Sequence, residues 1–261
     1  MRATRWVLFL LASLGAHAAH AAACPDPKTL DAIAKMGSVY IGEMHGTNET
    51  PAFVRCVVEH DIAKGMHPTV ALEQLSPARD LHWPGWSQPD GRASKAMAGL
   101  IGWLDGQEKA GKLTIAWLLD RATNDLPASQ DKRDQYMGED LAPLVARGLV
   151  IAYTGSAHAQ KSQHMGADVK PSGAYVADTM RHIMVAPAHD GTTWACLGPC
   201  GVHPLHGVAS LEPGKLLAVD ASRPDQWQGY DYIYAVPSFS ASLPQLDASH
   251  IPAAAPATPH P

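Results

Sequence analysis

The chain has 261 residues and a formal net charge of −5 at pH 7, with 17% charged residues. An acidic balance of this kind does not favour nucleic acid or an anionic membrane surface as a partner. A chain of this length can bury one sizeable core, so we predict a single domain over residues 24–246.

The N-terminal residues have the pattern of a secretory signal peptide. Two arginines precede the apolar run from Trp6 to Leu14, and an alanine-rich stretch follows. The run is too short to span a membrane, which takes about 20 apolar residues. We therefore expect removal of residues 1–23 and export to the periplasm or the medium, with no transmembrane segment in the mature chain. Lipidation of Cys24 is less favoured, because Ala21 stands where lipoprotein signals usually have leucine.

The hydrophobic pattern then alternates between helical and strand-like segments. Helices are predicted over residues 27–36, 50–64, 94–104 and 131–147. Strands are predicted over residues 38–41, 68–72, 113–119 and 149–154, each as a nearly continuous apolar run. Such strands are typical of a parallel sheet whose two faces are both covered.

The C-terminal part has a different pattern. Strands over residues 181–187, 192–197 and 230–236 have short connections, which favours some antiparallel pairing. Residues 247–261 are rich in alanine and proline, and we expect a disordered tail. The predicted fold class is thus α/β, with a mostly parallel central sheet flanked by helices and some antiparallel strands in the C-terminal part.

The four cysteines of an exported chain favour two disulfides. The segment from Cys196 to Cys200 can close through its Gly-Pro turn, which leaves Cys24 to pair with Cys56. The competing interpretation is a zinc site formed by Cys196, Cys200, His203 and His206. It is less favoured because thiolate sites prefer reducing compartments.

Polar side chains stand directly after the predicted strands. They are Glu43 and His45, Glu73, Asp120 and Arg121, and His158. Parallel strands deliver their carboxyl ends to one edge of a sheet, so these groups should meet in one pocket. A carboxylate at such a position can also be a simple helix N-cap. The joint arrangement, with the Gly-x-x-His pattern at both Gly42–His45 and Gly155–His158, favours a functional site.

Two chemistries suit a pocket with two imidazoles and several carboxylates. The first is a divalent metal site whose bound water is the nucleophile. Its candidate ligands are His45, His158, Glu43 and Glu73. The second is metal-free hydrolysis, in which a carboxylate orients His45 and His45 takes a proton from water as general base.

Other residues have supporting roles in these interpretations. Arg55, in the helix after the first motif, and Arg133 could hold an anionic substrate group or a developing negative charge. Ser156 is not part of a Gly-x-Ser-x-Gly elbow, so a serine nucleophile is not expected. The loop predicted over residues 81–91, rich in tryptophan and proline, could cap an apolar ligand.

Several stretches of the chain form an ordered set of motifs. They are Gly42–Thr47 with Glu49 and Pro51, Leu72–Glu73, Arg133–Asp134 with Met137, Gly155–Ala159, and Tyr230–Pro244. This set resembles the superfamily that joins ChaN-like haem-binding proteins, erythromycin esterases and TIKI/TraB-type proteins. The resemblance covers most of the chain and implies an α/β fold with the motifs clustered at one end of the sheet.

The branches of this superfamily imply different activities. The resemblance to TIKI-type proteins implies a metal-dependent protease that uses His45 and His158. The resemblance to erythromycin esterases implies hydrolysis by His45 with Glu43 and Glu73. ChaN-like proteins are associated with haem and iron uptake. Two function classes therefore follow: a hydrolase of ester or peptide bonds in a small-molecule or peptide substrate, and a haem- or iron-binding protein without turnover.

Overall fold

The computed structural model describes residues 24–121, 130–162, 169–220 and 229–246, so the predicted signal peptide and tail lie outside the described residues. The helices are α1 Pro27–Ala34, α2 Glu49–Ala63, α3 Lys95–Lys109 and α4 Gln130–Arg147. The strands are β1 Val39–Glu43, β2 Thr69–Leu72, β3 Thr114–Trp117, β4 Val150–Gly155, β5 Arg181–Pro187, β6 Gly191–Cys196, β7 Cys200–Leu205, β8 Leu216–Ala218 and β9 Tyr232–Val236.

A seven-stranded sheet forms the centre of the fold, in the order β3-β2-β4-β1-β5-β9-β8. Every neighbouring pair is parallel except β8 with β9. Strands β6 and β7 form a separate antiparallel hairpin. The predicted fold class is therefore confirmed. The strand predicted over residues 230–236 corresponds to β9 and pairs in parallel with β5. The parallel pairing is possible because the β6–β7 hairpin and β8 separate the two strands along the sequence.

Both faces of the sheet are covered, which explains the continuous apolar runs. Val39 and Ile41 of β1 belong to the apolar core that includes residues of α1, α2 and α3. Tyr40 points to the opposite face, where it packs in a second core with Met137 and Leu141 of α4. Successive strand residues alternate between faces, so a strand covered on both sides leaves polar side chains only at its ends.

The C-terminal segment after β9 contacts the starts of two helices. α3 begins after Ser94, whose hydroxyl accepts a hydrogen bond from the Met97 amide at 3.3 Å. α2 has no such side-chain cap. The Asn48 amide group instead donates to the carbonyls of Ser240 and Ala241, at 3.3 and 3.1 Å. The loop between β1 and α2 is thereby tied to the last described residues of the chain.

Both predicted disulfides are present. Cys24 is joined to Cys56 of α2, and Cys196 is joined to Cys200 across the β6–β7 turn. The first closes a loop with a sequence separation of 32 and so removes unfolded-chain entropy worth about 2–4 kcal/mol. The alternative zinc site is wrong, because two of its four ligands are consumed in the second disulfide. In the ranges described above, no helix is long and apolar enough to cross a membrane.

Candidate functional site

The predicted site residues meet at the carboxyl edge of three neighbouring strands. Glu43 is the last residue of β1, Glu73 directly follows β2, and Gly155 is the last residue of β4. β4 lies between β1 and β2 in the sheet, so the two glutamates flank its end. His45 and His158 follow β1 and β4 by two and three residues. The structure therefore brings both Gly-x-x-His motifs to one cluster.

Each histidine of the cluster is paired with a buried carboxylate. His45 Nδ1 lies 2.5 Å from Glu43 Oε1, and His158 Nδ1 lies 2.8 Å from Asp134 Oδ1 at the start of α4. The other ring nitrogens both face Glu73. His45 Nε2 is 3.9 Å from Glu73 Oε2, and His158 Nε2 is 3.4 Å from Glu73 Oε1. Two oriented imidazoles thus stand on either side of one central carboxylate.

Glu73 is buried, and its two oxygens have different surroundings. Oε2 accepts a hydrogen bond from the Gly155 amide at 2.7 Å. Oε1 makes no hydrogen bond within the described part of the chain. Positive groups nevertheless surround Oε1, since Arg92 Nη1 and Arg133 Nη2 lie 3.6 and 3.5 Å away. Burial acts to raise the pKa of Glu73, but the charges of His158 and His45 outweigh it and hold the pKa below its ordinary value.

Glu43 is held on both oxygens. Oε1 pairs with His45, and Oε2 accepts a hydrogen bond from the Tyr153 hydroxyl. Burial first, and then the Glu43 charge, raise the pKa of Tyr153 well above its ordinary value, so the hydroxyl stays a donor. Glu43 is only 3% exposed. Its position is therefore fixed, and it can orient the imidazole that it contacts.

Both imidazoles are more basic than an ordinary histidine. Burial acts to lower the pKa of His45, but the Glu43 carboxylate outweighs burial and the pKa is raised above 6.5. Burial likewise acts to lower the pKa of His158, and the charge of Glu73, with the Asp134 hydrogen bond, raises it above 6.5. These carboxylates stabilise the imidazolium form, which a general base enters when it takes a proton.

Gly155 leaves the space that His45 occupies. A Cβ atom at this position would lie 2.6 Å from His45 Nε2 and 3.3 Å from Glu73 Oε2. The backbone at Gly155 is not in the left-handed region, so the reason for glycine here is the close approach of the two side chains. The second Gly-x-x-His motif therefore contributes its glycine to the site as well as its histidine.

The loop that carries His45 is fixed by three later segments of the chain. The Gly46 amide donates to the Gly91 carbonyl at 3.1 Å. The Gly46 carbonyl accepts from the amides of Trp194 in β6 and Ser242 in the C-terminal segment, at 3.0 and 2.8 Å. Gly46 has a φ of +72°, and a Cβ there would strike the Trp194 carbonyl. These contacts hold the backbone next to His45 in one place.

Arg55 is not brought to this cluster. Its Nε donates to Glu59 at 3.1 Å on the same helix, and its guanidinium lies over the Trp103 ring of α3, 4.9 Å from the centroid. Half of its side chain is exposed. The place predicted for Arg55 is taken by Arg92, which is the second guanidinium beside Glu73, together with Arg133.

The polar residues after β3 also lie in other interactions. Asp120 accepts a hydrogen bond from the Ser76 amide at 2.7 Å. Arg121 pairs with Glu139 and Asp140 of α4 at 2.8 and 3.2 Å. β3 is the edge strand of the sheet, so its end lies one strand further from β4 than the end of β2 does.

Three residues of the cluster were not predicted as site residues from the sequence. Asp134 was noted only beside Arg133 in a motif, where an acidic residue near a helix start has an ordinary explanation. Tyr153 stands two residues before Gly155. Because every second residue of a strand faces the same side of the sheet, Tyr153 lies on the side of Gly155, where its hydroxyl reaches Glu43. Arg92 lies in a loop and carries no sequence signal.

Comparisons with known proteins identify the fold. No family model matches the sequence, and no curated protein matches it either. A protein from Bacillus cereus aligns with a TM-score of 0.53 and 11% identity over 83% of this chain and 92% of its own. A succinoglycan biosynthesis protein aligns with a TM-score of 0.53 and 10% identity over 82% of this chain and 92% of its own.

An erythromycin esterase variant in its open conformation aligns equally well. Its TM-score is 0.53 at 10% identity, over 82% of this chain and 94% of the esterase chain. Identities this low establish the fold alone. The chain therefore has the erythromycin esterase-like fold that the motif resemblance predicts, with its polar cluster at the carboxyl edge of the parallel sheet.

Proposed function

We propose that this protein is a hydrolase that cleaves an ester or peptide bond, with His45 as general base. The observation that carries the proposal is the environment of the His45 imidazole. One ring nitrogen is held by the buried Glu43 carboxylate at 2.5 Å, while 31% of the side chain remains exposed at the sheet edge. A buried carboxylate behind a partly exposed imidazole is an arrangement suited to general-base catalysis.

The proposed reaction starts at His45 Nε2. This atom removes a proton from water, the water oxygen bonds to the carbonyl carbon, and the bond from that carbon to the leaving group then breaks. Glu43 stabilises the imidazolium that forms. His158, oriented by Asp134 and protonated before the reaction, donates its own proton to the leaving group. The proton on His45 then passes to solvent, and His158 takes one back from solvent. The raised pKa of His158 suits this role, because its protonated form persists to higher pH.

Two guanidinium groups supply positive charge at the same place. Arg92 and Arg133 both lie within 3.6 Å of Glu73 Oε1, an oxygen that makes no hydrogen bond of its own. Positive groups fixed in a partly buried site stabilise the oxygen charge that develops when a carbonyl is attacked. Glu73 lies between both guanidiniums and both imidazoles, and its charge holds these four groups in position before substrate binds.

A divalent metal fits this cluster less well than a metal-free general base. Arg92 and Arg133 already lie beside Glu73 Oε1, at 3.6 and 3.5 Å, on the oxygen that a metal ion between the imidazoles would need. Within the described ranges, no three histidine, cysteine, aspartate or glutamate side chains are arranged to hold a metal ion. No step of the proposed reaction uses a metal. Metal analysis of the purified protein, beside activity in EDTA, tests this choice.

The haem-binding alternative stays a prediction of the sequence. Haem requires a broad apolar slot with an axial ligand. The cluster around Glu73 is instead built from charged and imidazole side chains, which favours a hydrolytic site. A Soret absorption titration with haem tests the alternative, and saturable binding near one equivalent would support it over hydrolysis.

We also propose that the protein is exported. Two disulfides join all four cysteines, and such bonds persist in oxidising compartments. Mass spectrometry of protein from the periplasm or medium should find a mature N-terminus between about Ala18 and Cys24. An intact Met1 on exported protein would contradict the proposal.

The hydrolase is tested by a pair of matched histidine variants. His45→Asn removes the base and should lower kcat by about 10²–10⁴-fold on a panel of activated esters and peptide amides. His60→Asn is the control, because His60 also pairs with a carboxylate, Asp31 at 3.0 Å, but lies at the contact of α1 with α2. The proposal fails if no substrate of either class is turned over, or if both variants lose activity equally.

A further inference from the structure

A cavity of about 210 Å³ is lined in part by the residues that follow Glu43 and Gly155. Its walls come from the ends of β4, β5 and β7 and from residues flanking β9. Met44, one of these wall residues, stands between Glu43 and His45. Ser156, another, directly follows Gly155. The cavity and the proposed catalytic groups therefore share the same two strand-end segments.

The walls of the cavity are mostly apolar. The apolar wall residues include Met44, Met184, Leu205, Val208 and Phe239. The methionines are unbranched and adapt to the shape of a bound group. An engineered apolar cavity of about 150 Å³ accepts benzene. A cavity of about 210 Å³ therefore has room for a group the size of a benzyl or leucyl side chain.

Two polar groups of the wall are not open to a ligand. Gln160 lines the cavity, but its Oε1 is buried and is therefore not exposed to the cavity. The Tyr230 hydroxyl, also in the wall, is already engaged because it donates to the Ser156 carbonyl. The cavity would therefore select its occupant mainly by apolar contact and shape.

We propose that this cavity is the specificity pocket of the hydrolase, and that it binds an apolar amino-acid side chain. The substrate class is then an amino acid ester or a peptide, cleaved at the carbonyl of an apolar residue. The side chain fills the space between Met44 and Phe239. The scissile carbonyl lies toward His45. This inference rests on the proposed hydrolytic function of the cluster.

A substrate series with matched variants tests the pocket. N-acetyl-L-phenylalanine methyl ester should be hydrolysed with a kcat/KM about 10–100-fold above that of the alanine ester, as hydrophobic pockets discriminate. Val208→Trp fills the cavity and should abolish this preference. Val202→Trp, on the exposed face of β7 at 53% exposure, makes the same change outside the cavity and should keep it. An equal preference in both variants would overturn the proposal.

A binding measurement separates this proposal from the proposed function. Methyl resonances of Met44 and Met184 should shift and saturate when N-acetyl-L-phenylalaninamide is added to the whole protein, and the cavity-filling Val208→Trp should abolish those shifts. Saturable shifts without any ester turnover would support the pocket while refuting the hydrolase. Turnover without shifts and without a side-chain preference would refute the pocket and leave the hydrolase standing.

Discussion

Replacement of Gly155 by alanine should inactivate the protein with little loss of stability. The added Cβ would lie 2.6 Å from His45 Nε2, whereas ordinary contacts begin at 3.4 Å. The imidazole must then move by about 0.8 Å, which is the difference between those two distances. A displacement of about 1 Å in a catalytic group costs about 100-fold in rate. We therefore expect kcat/KM to fall by about that factor.

The stability of the same variant should change much less. The atom that must move is the end of a side chain that is 31% exposed, so no backbone has to shift. The Gly155→Ala change also restricts the unfolded chain, which stabilises a protein by about 0.4–1 kcal/mol where the backbone conformation suits alanine. The two effects oppose each other, and the free energy of unfolding should stay within about 1 kcal/mol of the wild-type value.

The assay combines ester hydrolysis with unfolding in urea. Gly148→Ala is the matched control, since a Cβ at Gly148 would meet nothing within 4 Å. The control should keep both activity and stability. Full activity in Gly155→Ala would refute the assignment of His45 as base in this geometry. A stability loss above about 3 kcal/mol would refute the argument that the clash is relieved by the imidazole alone.

Two further predictions concern titration. Activity should rise as pH rises through the His45 pKa, which lies above 6.5. Glu43→Gln should shift this rise in the pH–activity profile to lower pH and should lower the maximal rate. An unshifted rise would mean that another group titrates. Burial lowers the pKa of His182 to about 4, whereas in the unfolded chain this side chain takes up a proton below about 6.5. The free energy of unfolding therefore falls as pH drops from about 6.5 toward 4, because only the unfolded state gains the proton. Wild-type protein should therefore lose about 3 kcal/mol more unfolding free energy between pH 7 and 4 than His182→Gln, measured in urea, and equal losses would contradict the buried neutral state.

The sheet and the core of the site follow from local sequence pattern. Each early strand is short, apolar and ended by a polar residue, and a parallel sheet places such ends together. Glu43, His45, Glu73 and His158 could be predicted on that basis because each lies within three residues of a strand end. The strand predicted over residues 113–119, which precedes Asp120, has the same pattern, but Asp120 is not part of the cluster. Strand order, which decides this, depends on packing between distant segments.

Arg55 and Arg92 show which site residues the sequence pattern does not predict. Arg55 lies six residues after the start of α2, which carries it about 9 Å along the helix axis and away from the sheet edge. Helical periodicity alone does not say which residue of the first turns faces the site. Arg92 lies in a loop without a periodic pattern, and it reaches Glu73 because the segments around Gly91 pack against the loop of His45.

The charges of the site and its rigidity come from different parts of the chain. Glu43, Glu73 and Asp134 provide the negative charge, and all of them lie at the ends of core elements. The backbone next to His45 is instead fixed by hydrogen bonds from Trp194 and Ser242, neither of which contributes a charge. Loosening the hairpin or the C-terminal segment would therefore move the imidazole without removing a charged group from the site. The segment around Gly91 differs, because it holds the same loop and also carries Arg92, whose charge acts together with burial to lower the pKa of His45.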